Sequence, residues 1–141
     1  MNSPRFRAAF DYAATLHAAD LRKGTQAPYL SHLLEVCAIV MRYGGNEDAA
    51  IAALLHDAVE DHGGYPRLAD IQRNFGKPVA SIVSECTDST ARPKQPWEVR
   101  KRMYVKHIGD ASKGGLLVSA ADKLSNVRVI LADHYVEGDA V

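Results

Sequence analysis

Eight consecutive residues, Leu54-Leu55-His56-Asp57-Ala58-Val59-Glu60-Asp61, place one imidazole and three carboxylates within about two helical turns of an apolar segment. Side chains one turn apart share a helix face, so a continuous helix stacks Glu60 beneath His56 and Asp61 beneath Asp57. The result is a stripe of metal-ligand types with acid/base groups beside it. Ile51, Leu54, Leu55, Ala58 and Val59 form the other stripe and have the character of core. A solvated acidic face on an amphipathic helix accounts for the same spacing. Against it stands the position of Glu60 and Asp61 just before His62-Gly63-Gly64, where the negative end of the macrodipole disfavours each carboxylate by about 0.3–1 kcal/mol. A bound cation reverses that penalty.

Two residues elsewhere complete a candidate ligand set. Asp122 lies between Leu116-Leu117-Val118-Ser119-Ala120-Ala121 and Leu124, and a carboxylate so placed needs a partner to offset its desolvation. That partner is a metal, or a salt bridge to Lys123 or Arg128. A lone histidine such as His32 is ordinarily a satisfied core or surface residue, so its case rests on the combination. Together His32, His56, Asp57 and Asp122 suit manganese, iron or zinc at the centre of a helical bundle, leaving positions for water or phosphate oxygens. The set contains no cysteine, which argues against a structural zinc site. Position alone gives no role to His17, His62, His107 or His134.

Helices must hold these groups. Helical periodicity runs through the chain, and no alternating run bounded by Asn-Gly or Asp-Gly announces a hairpin. The expected fold is all-α, a single-domain helical bundle over residues 1–141. Ser3 as cap and Pro4 in the first turn open a helix that ends near residue 20. A loop over 21–28 follows, in which Pro28 bars helical geometry at Ala27. The second helix covers 30–43. The third starts at the cap Asn46, with Glu47 and Asp48 in its first turn, and runs to 61 between two Gly-Gly pairs. Shorter helices over 66–75 and 77–86, a polar loop over 87–96, a basic helix over 97–108 and a last helix over 112–133 complete the reading.

A chain of 141 residues is one domain and buries roughly two-thirds of its unfolded surface. Lys+Arg and Asp+Glu both number 17, so the balance points to neither a nucleic-acid nor a membrane partner. Local clusters must supply any cations a substrate needs. Cys37 and Cys86 sit in apolar helical patterns without ligand spacing and read as core thiols. No stretch is long and apolar enough for a bilayer, and no hydrophobic signal segment follows Met1-Asn2-Ser3-Pro4-Arg5, so the expected location is the cytoplasm.

The His32, His56-Asp57, Asp122 arrangement resembles the HD superfamily of metal-dependent phosphohydrolases. Arg22-Lys23-Gly24-Thr25 ahead of Pro28-Tyr29-Leu30-Ser31-His32, the block from Ala53 to Asp61, Phe75-Gly76-Lys77-Pro78-Val79-Ala80, and Ala121-Asp122-Lys123-Leu124-Ser125-Asn126 are similar to the hydrolase domain of RelA/SpoT proteins. The ending Glu60-Asp61 is the most discriminating of these features. The chain is too short to add a synthetase domain, so the nearest likeness is to the stand-alone small alarmone hydrolases. The resemblance implies manganese-dependent removal of pyrophosphate from the 3′ position of guanosine tetra- or pentaphosphate. It implies metal binding by His32, His56, Asp57 and Asp122, with Glu60 and Asp61 activating or positioning the attacking water. Arg22 and Lys23 then contact the nucleotide, and Asn126, one turn beyond Asp122, lines the same pocket.

A polyphosphorylated substrate needs cations, and Arg22, Lys23, Lys94, Arg100, Lys101 and Arg102 are clustered enough to supply them. For the last three a solvated helix face is the competing reading. Two departures bear on substrate choice. Ser119-Ala120-Ala121 stands where the alarmone hydrolases usually have Lys-Leu-Ala, which removes one expected cation. The family's domain also continues past the last helix read here, so the chain is expected to lack part of the pocket. The same machinery on another nucleotide or cofactor phosphate, and a non-catalytic nucleotide sensor, are the rival functions; the intact Glu60-Asp61 pair argues against the sensor.

Overall fold

The computed structural model describes residues 1–88 and 94–140. Among the described residues eight α-helices follow one another: α1 Pro4–Leu16, α2 Leu30–Arg42, α3 Glu47–Leu55, α4 Ala58–Asp61, α5 Gly64–Phe75, α6 Lys77–Cys86, α7 Trp97–Ile108 and α8 Lys113–Glu137, with a 3-10 turn over Gly138–Ala140. The described residues contain no strand, and one isolated bridge joins Leu21 to Pro28. The all-helical expectation holds.

Capping explains where three helices begin. Ser3 Oγ accepts from the Phe6 amide at 3.0 Å, Asn46 Oδ1 from Ala49 at 2.9 Å and Ser112 Oγ from Gly115 at 3.1 Å, each satisfying an orphan donor of the first turn. The centre of the bundle is α3. Its residues from Ala49 to Leu55 are all exposed by 2 % or less, because α1, α2, α6 and α8 pack around it. A helix enclosed on every side must be apolar all round, and four alanines let the neighbours approach. Gly114 does the same for the start of α8: a Cβ there would lie 2.7 Å from Ile82 Cδ1 on α6. α8 therefore runs close past the core and carries Asp122 and Asn126 to the far end of α3.

Several boundaries differ from expectation. α1 stops at Leu16, not near residue 20, because His17 leaves helical geometry and bonds Asp20. The helix expected to run unbroken from 46 to 61 is interrupted at His56-Asp57. Asp57 takes φ −99° and ψ −1°, in the sparsely used bridge region, and caps the one-turn α4. Glu60 and Asp61 thus belong to a separate single-turn helix and not to the last turn of a long one, so no long-helix macrodipole acts on them. α5 begins at Gly64, earlier than expected, and α8 continues to Glu137. Of the loop expected over 87–96, residues 89–93 lie outside the described residues, as does Val141. The 21–28 segment is a clasp: the Arg22 amide donates to the Ala27 carbonyl at 2.8 Å and the Tyr29 amide to the Asp20 carbonyl at 2.9 Å. Gly24, at φ +76°, makes the tight turn between them.

Leu54, fully buried in α3, tests this account of the core. Leu54→Ala is expected to lower the unfolding free energy by about 2–5 kcal/mol, measured by urea denaturation; a loss below about 1 kcal/mol would place Leu54 outside the core.

Candidate metal centre and active site

The interruption at His56-Asp57 faces the middle of α2 and α8, and four side chains converge there. His32 Nε2 lies 2.9 Å from Asp122 Oδ1 and 4.0 Å from Asp57 Oδ2; His56 Nε2 lies 3.1 Å from Asp57 Oδ2 and 3.3 Å from Asp122 Oδ1. The two imidazoles are 2 % exposed, with ring centroids 5.4 Å apart. The structure brings together all four residues expected as ligands.

Their orientation is enforced from behind. His56 Nδ1 donates to the Ala53 carbonyl at 2.7 Å, which fixes the ring and aims Nε2 into the cluster. That nitrogen is buried and makes no hydrogen bond: it points between the carboxylates and is aligned with neither. His32 Nδ1 is held by Ser125 Oγ at 2.9 Å, and the Tyr29 hydroxyl donates to Asp57 Oδ2. Ser125 is fully buried. Sequence reasoning gave neither Ser125 nor Tyr29 a role, although both stand inside the motif blocks.

The electrostatics describe a site that demands positive charge. Burial works against a charged His56, yet Asp57 and Asp122 outweigh it and hold the imidazole protonated well above its ordinary value. Burial also opposes the charge on Asp57, but His56 and the Tyr29 hydroxyl bring its pKa down to about 2. The imidazoles of His32 and His56 and the Lys123 ammonium hold Asp122 far below the carboxylate range against the same opposing burial. Burial and Asp57 push the Tyr29 phenol up, so it remains a donor. A proton on His56 balances two carboxylates here; a divalent cation with N and O ligands would balance them better and would use the unbonded Nε2. The donor set fits such an ion.

Glu60 and Asp61 diverge instead of stacking under His56 and Asp57. Glu60 turns towards Lys94 Nζ, at 3.1 Å, and Arg100 Nη1, at 4.0 Å. Burial and the neighbouring Asp88 raise its carboxyl to about 7. Asp88, 7 % exposed, takes Arg100 at 3.2 Å and Lys101 at 3.0 Å; burial opposes its charge, but the proton on Glu60 and these cations hold it down. The two neighbouring carboxyls are thus driven apart, Glu60 upwards and Asp88 downwards. Asp88 was not identified from sequence, since one carboxylate at a helix end carries no spacing signal. Asp61 is 44 % exposed, 3.9 Å from Lys94, and its pKa is raised by burial and by Asp57.

The expected substrate contacts separate. Arg22 Nη2 donates to Asn126 Oδ1 at 3.2 Å, and Asn126 Nδ2 to Asp122 Oδ1 at 3.3 Å, so both residues reach the cluster. Lys94 faces the acid pair. Lys23 is exposed and makes none of the described contacts with the site. Arg100 and Lys101 point at Asp88, whereas Arg102 remains on the exposed face of α7 with Trp97 and Val105. Asp122 also pairs with Lys123 at 2.8 Å, so the salt bridge and the ligand cluster coexist; Arg128 goes to Glu35 instead. Ser119, where a lysine was expected, bonds the Tyr104 hydroxyl, and Lys123 Nζ lies 4.8 Å from the centre of that ring.

Comparison with known proteins agrees with this geometry. The HD domain family HD_4 matches residues 9–137. The chain is 40% identical over 123 residues to the guanosine-3′,5′-bis(diphosphate) 3′-pyrophosphohydrolase MESH1 of Xenopus tropicalis and 38% identical to that of Homo sapiens, in each case with 85% of this chain aligned. It spans 66% of the length of those relatives. Among solved structures, one titled as a metazoan ortholog of SpoT that hydrolyzes ppGpp superposes with a TM-score of 0.83 at 32% identity, over 94% of this chain and 73% of the other. The lmo0812 protein of Listeria monocytogenes gives 0.68 at 33% identity, over 77% and 67%. On the extent of these matches and the four residues gathered at the break after α3, the chain belongs to the HD domain family.

Proposed function

We propose that this chain is a metal-dependent phosphohydrolase that removes pyrophosphate from the 3′ position of guanosine 3′,5′-bis(diphosphate). The observation that carries the reading is the convergence of His32, His56, Asp57 and Asp122, with Glu60 and its cation neighbours Lys94 and Arg100 nearby in the same fold. The relatives named as 3′-pyrophosphohydrolases support the substrate. Manganese is the proposed ion, with iron or zinc compatible with the same ligands. When bound, a divalent cation supplies Lewis acidity that activates water and neutralises phosphoryl oxygens.

The remaining work falls to the chain. Tyr29, Ser125 and the Ala53 carbonyl keep the ligands oriented, so little reorganisation accompanies binding. Glu60, once deprotonated, accepts the proton of the attacking water, a role suited to a carboxyl with a pKa of about 7. Lys94 and Arg100 beside it, and Arg22 with Asn126 on the other side, bind phosphate oxygens and hold the scissile group in line. Asp61 positions water from the cavity side. Lys23 contributes long-range attraction. The proposed partner is a small nucleotide acting in the cytoplasm, not a nucleic acid; among the described residues no helix is long and apolar enough to cross a membrane.

One observation favours a second reading, the same chemistry on another nucleotide or cofactor phosphate. The Ser119–Tyr104 pair occupies the place of a lysine, with an aromatic ring in reach of the substrate-side cations. Pyrophosphate release from guanosine tetraphosphate with manganese, run beside other nucleotides, separates the two. Release that is fastest on the tetraphosphate and lost in Asp57→Ala is expected; faster release from another nucleotide would move the assignment to the second reading.

The pH profile follows from Glu60. Its base form is depleted below about pH 7 and complete above it, so kcat/KM is expected to rise through neutrality. Glu60→Gln should lower kcat by about 10²–10⁴-fold and flatten the rise in what remains. A wild-type profile that is level across neutral pH would remove Glu60 as the base.

A further inference from the structure

His17, Asp20 and His62 earned no role from their spacing, yet the fold gathers them. His17 Nδ1 lies 2.8 Å and His62 Nε2 2.6 Å from the same oxygen, Asp20 Oδ2. The imidazole planes are nearly perpendicular, at 88°, with centroids 4.7 Å apart. One ligand atom from each residue falls within 4.8 Å of the others. The three come from three places: the C-cap of α1, the turn before the clasp, and the residue closing α4. In front of them opens a cavity of about 490 Å³, lined by Asp20, His62, Tyr29 and Asp61 with Ala19 and Leu21.

We propose that His17, Asp20 and His62 form a second divalent-cation site, distinct from the His32-His56-Asp57-Asp122 cluster. Two imidazoles and one carboxylate are the ligand set of open zinc-type sites, in which remaining positions stay free for water or an anion. The ion suited to it is a borderline transition cation such as zinc or cobalt. Tetrahedral zinc with bonds of about 2.0–2.1 Å requires donors about 3.3–3.4 Å apart. Both ring nitrogens lie closer than that to Asp20 Oδ2, at 2.8 Å and 2.6 Å, so binding would move each of them away from that oxygen by less than about 1 Å. Asp20 and His62, 34 % and 26 % exposed, have room to move while His17 stays fixed at 1 %.

The second site adjoins the first without sharing a ligand. The Tyr29 ring lies 5.4 Å from His17 and 5.5 Å from His32, between the two clusters. Open positions on the second ion would face the cavity that Asp61 lines, where a water or a phosphate oxygen can occupy them. The inference stands on this cluster alone and is independent of which nucleotide is hydrolysed.

The test is cation stoichiometry by equilibrium dialysis with zinc on the metal-stripped chain. Two equivalents are expected for the wild type and one for His62→Ala and for Asp20→Asn, with circular dichroism unchanged. An unaltered stoichiometry in both variants would overturn the proposal. A measurement that needs no variant in the cluster accompanies it: in Asp57→Ala protein, stoichiometric zinc should shift the side-chain nitrogen resonances of His17 and His62. Resonances that do not move, or that drift without saturating, would also overturn it.

Discussion

Everything in this molecule is organised around two buried imidazoles at the end of an apolar helix, each with its Nε2 within 4.0 Å of the same carboxylate of Asp57 and of Asp122. Desolvating such groups is costly unless each finds an opposite charge or a hydrogen bond. The fold meets that demand by compensation at short range. Asp57 has Tyr29 and His56, Asp122 has His32 and Lys123, and each imidazole is held on its outer nitrogen. His56 Nε2 faces both carboxylates without an aligned hydrogen bond, and it is there that a cation could be held.

The break after α3 makes this possible. A continuous helix would have kept Glu60 and Asp61 on the same stripe as His56 and Asp57, crowding four ionisable groups on one face. Leaving helical geometry at Asp57 sends the two acids to different surroundings. Glu60 enters a pocket of cations beside Asp88; Asp61 opens onto a cavity beside a histidine pair. Adjacent carboxyls thereby acquire different neighbours, as the separate base and positioning roles proposed for them require.

Much of this was legible from local chemistry. Ser3-Pro4 and Asn46 marked helix starts because caps act within a turn. Asp122 was legible as a candidate because a carboxylate in an apolar run needs a partner, and His32 only in combination with His56, Asp57 and Asp122. The interruption at His56-Asp57 was not, since the flanking residues are good helix formers and the cause is the tertiary demand of the cluster. Tyr29, Ser125 and Asp88 were missed because their roles consist of contacts across 28, 93 and 12 or 13 positions of sequence. The His17-Asp20-His62 group was hidden for the same reason: the clasp over residues 21–28 and the short α4 create it, and neither has a periodic signature.

The central claim is that four side chains from α2, the α3–α4 break and α8 hold one divalent cation. Diffraction at the manganese absorption edge, on crystals of this chain grown with manganese, tests it most directly. The account predicts an anomalous peak about 2.0–2.3 Å from Nε2 of His32 and of His56 and from carboxylate oxygens of Asp57 and Asp122. A manganese-loaded chain with no peak among these four residues would contradict it.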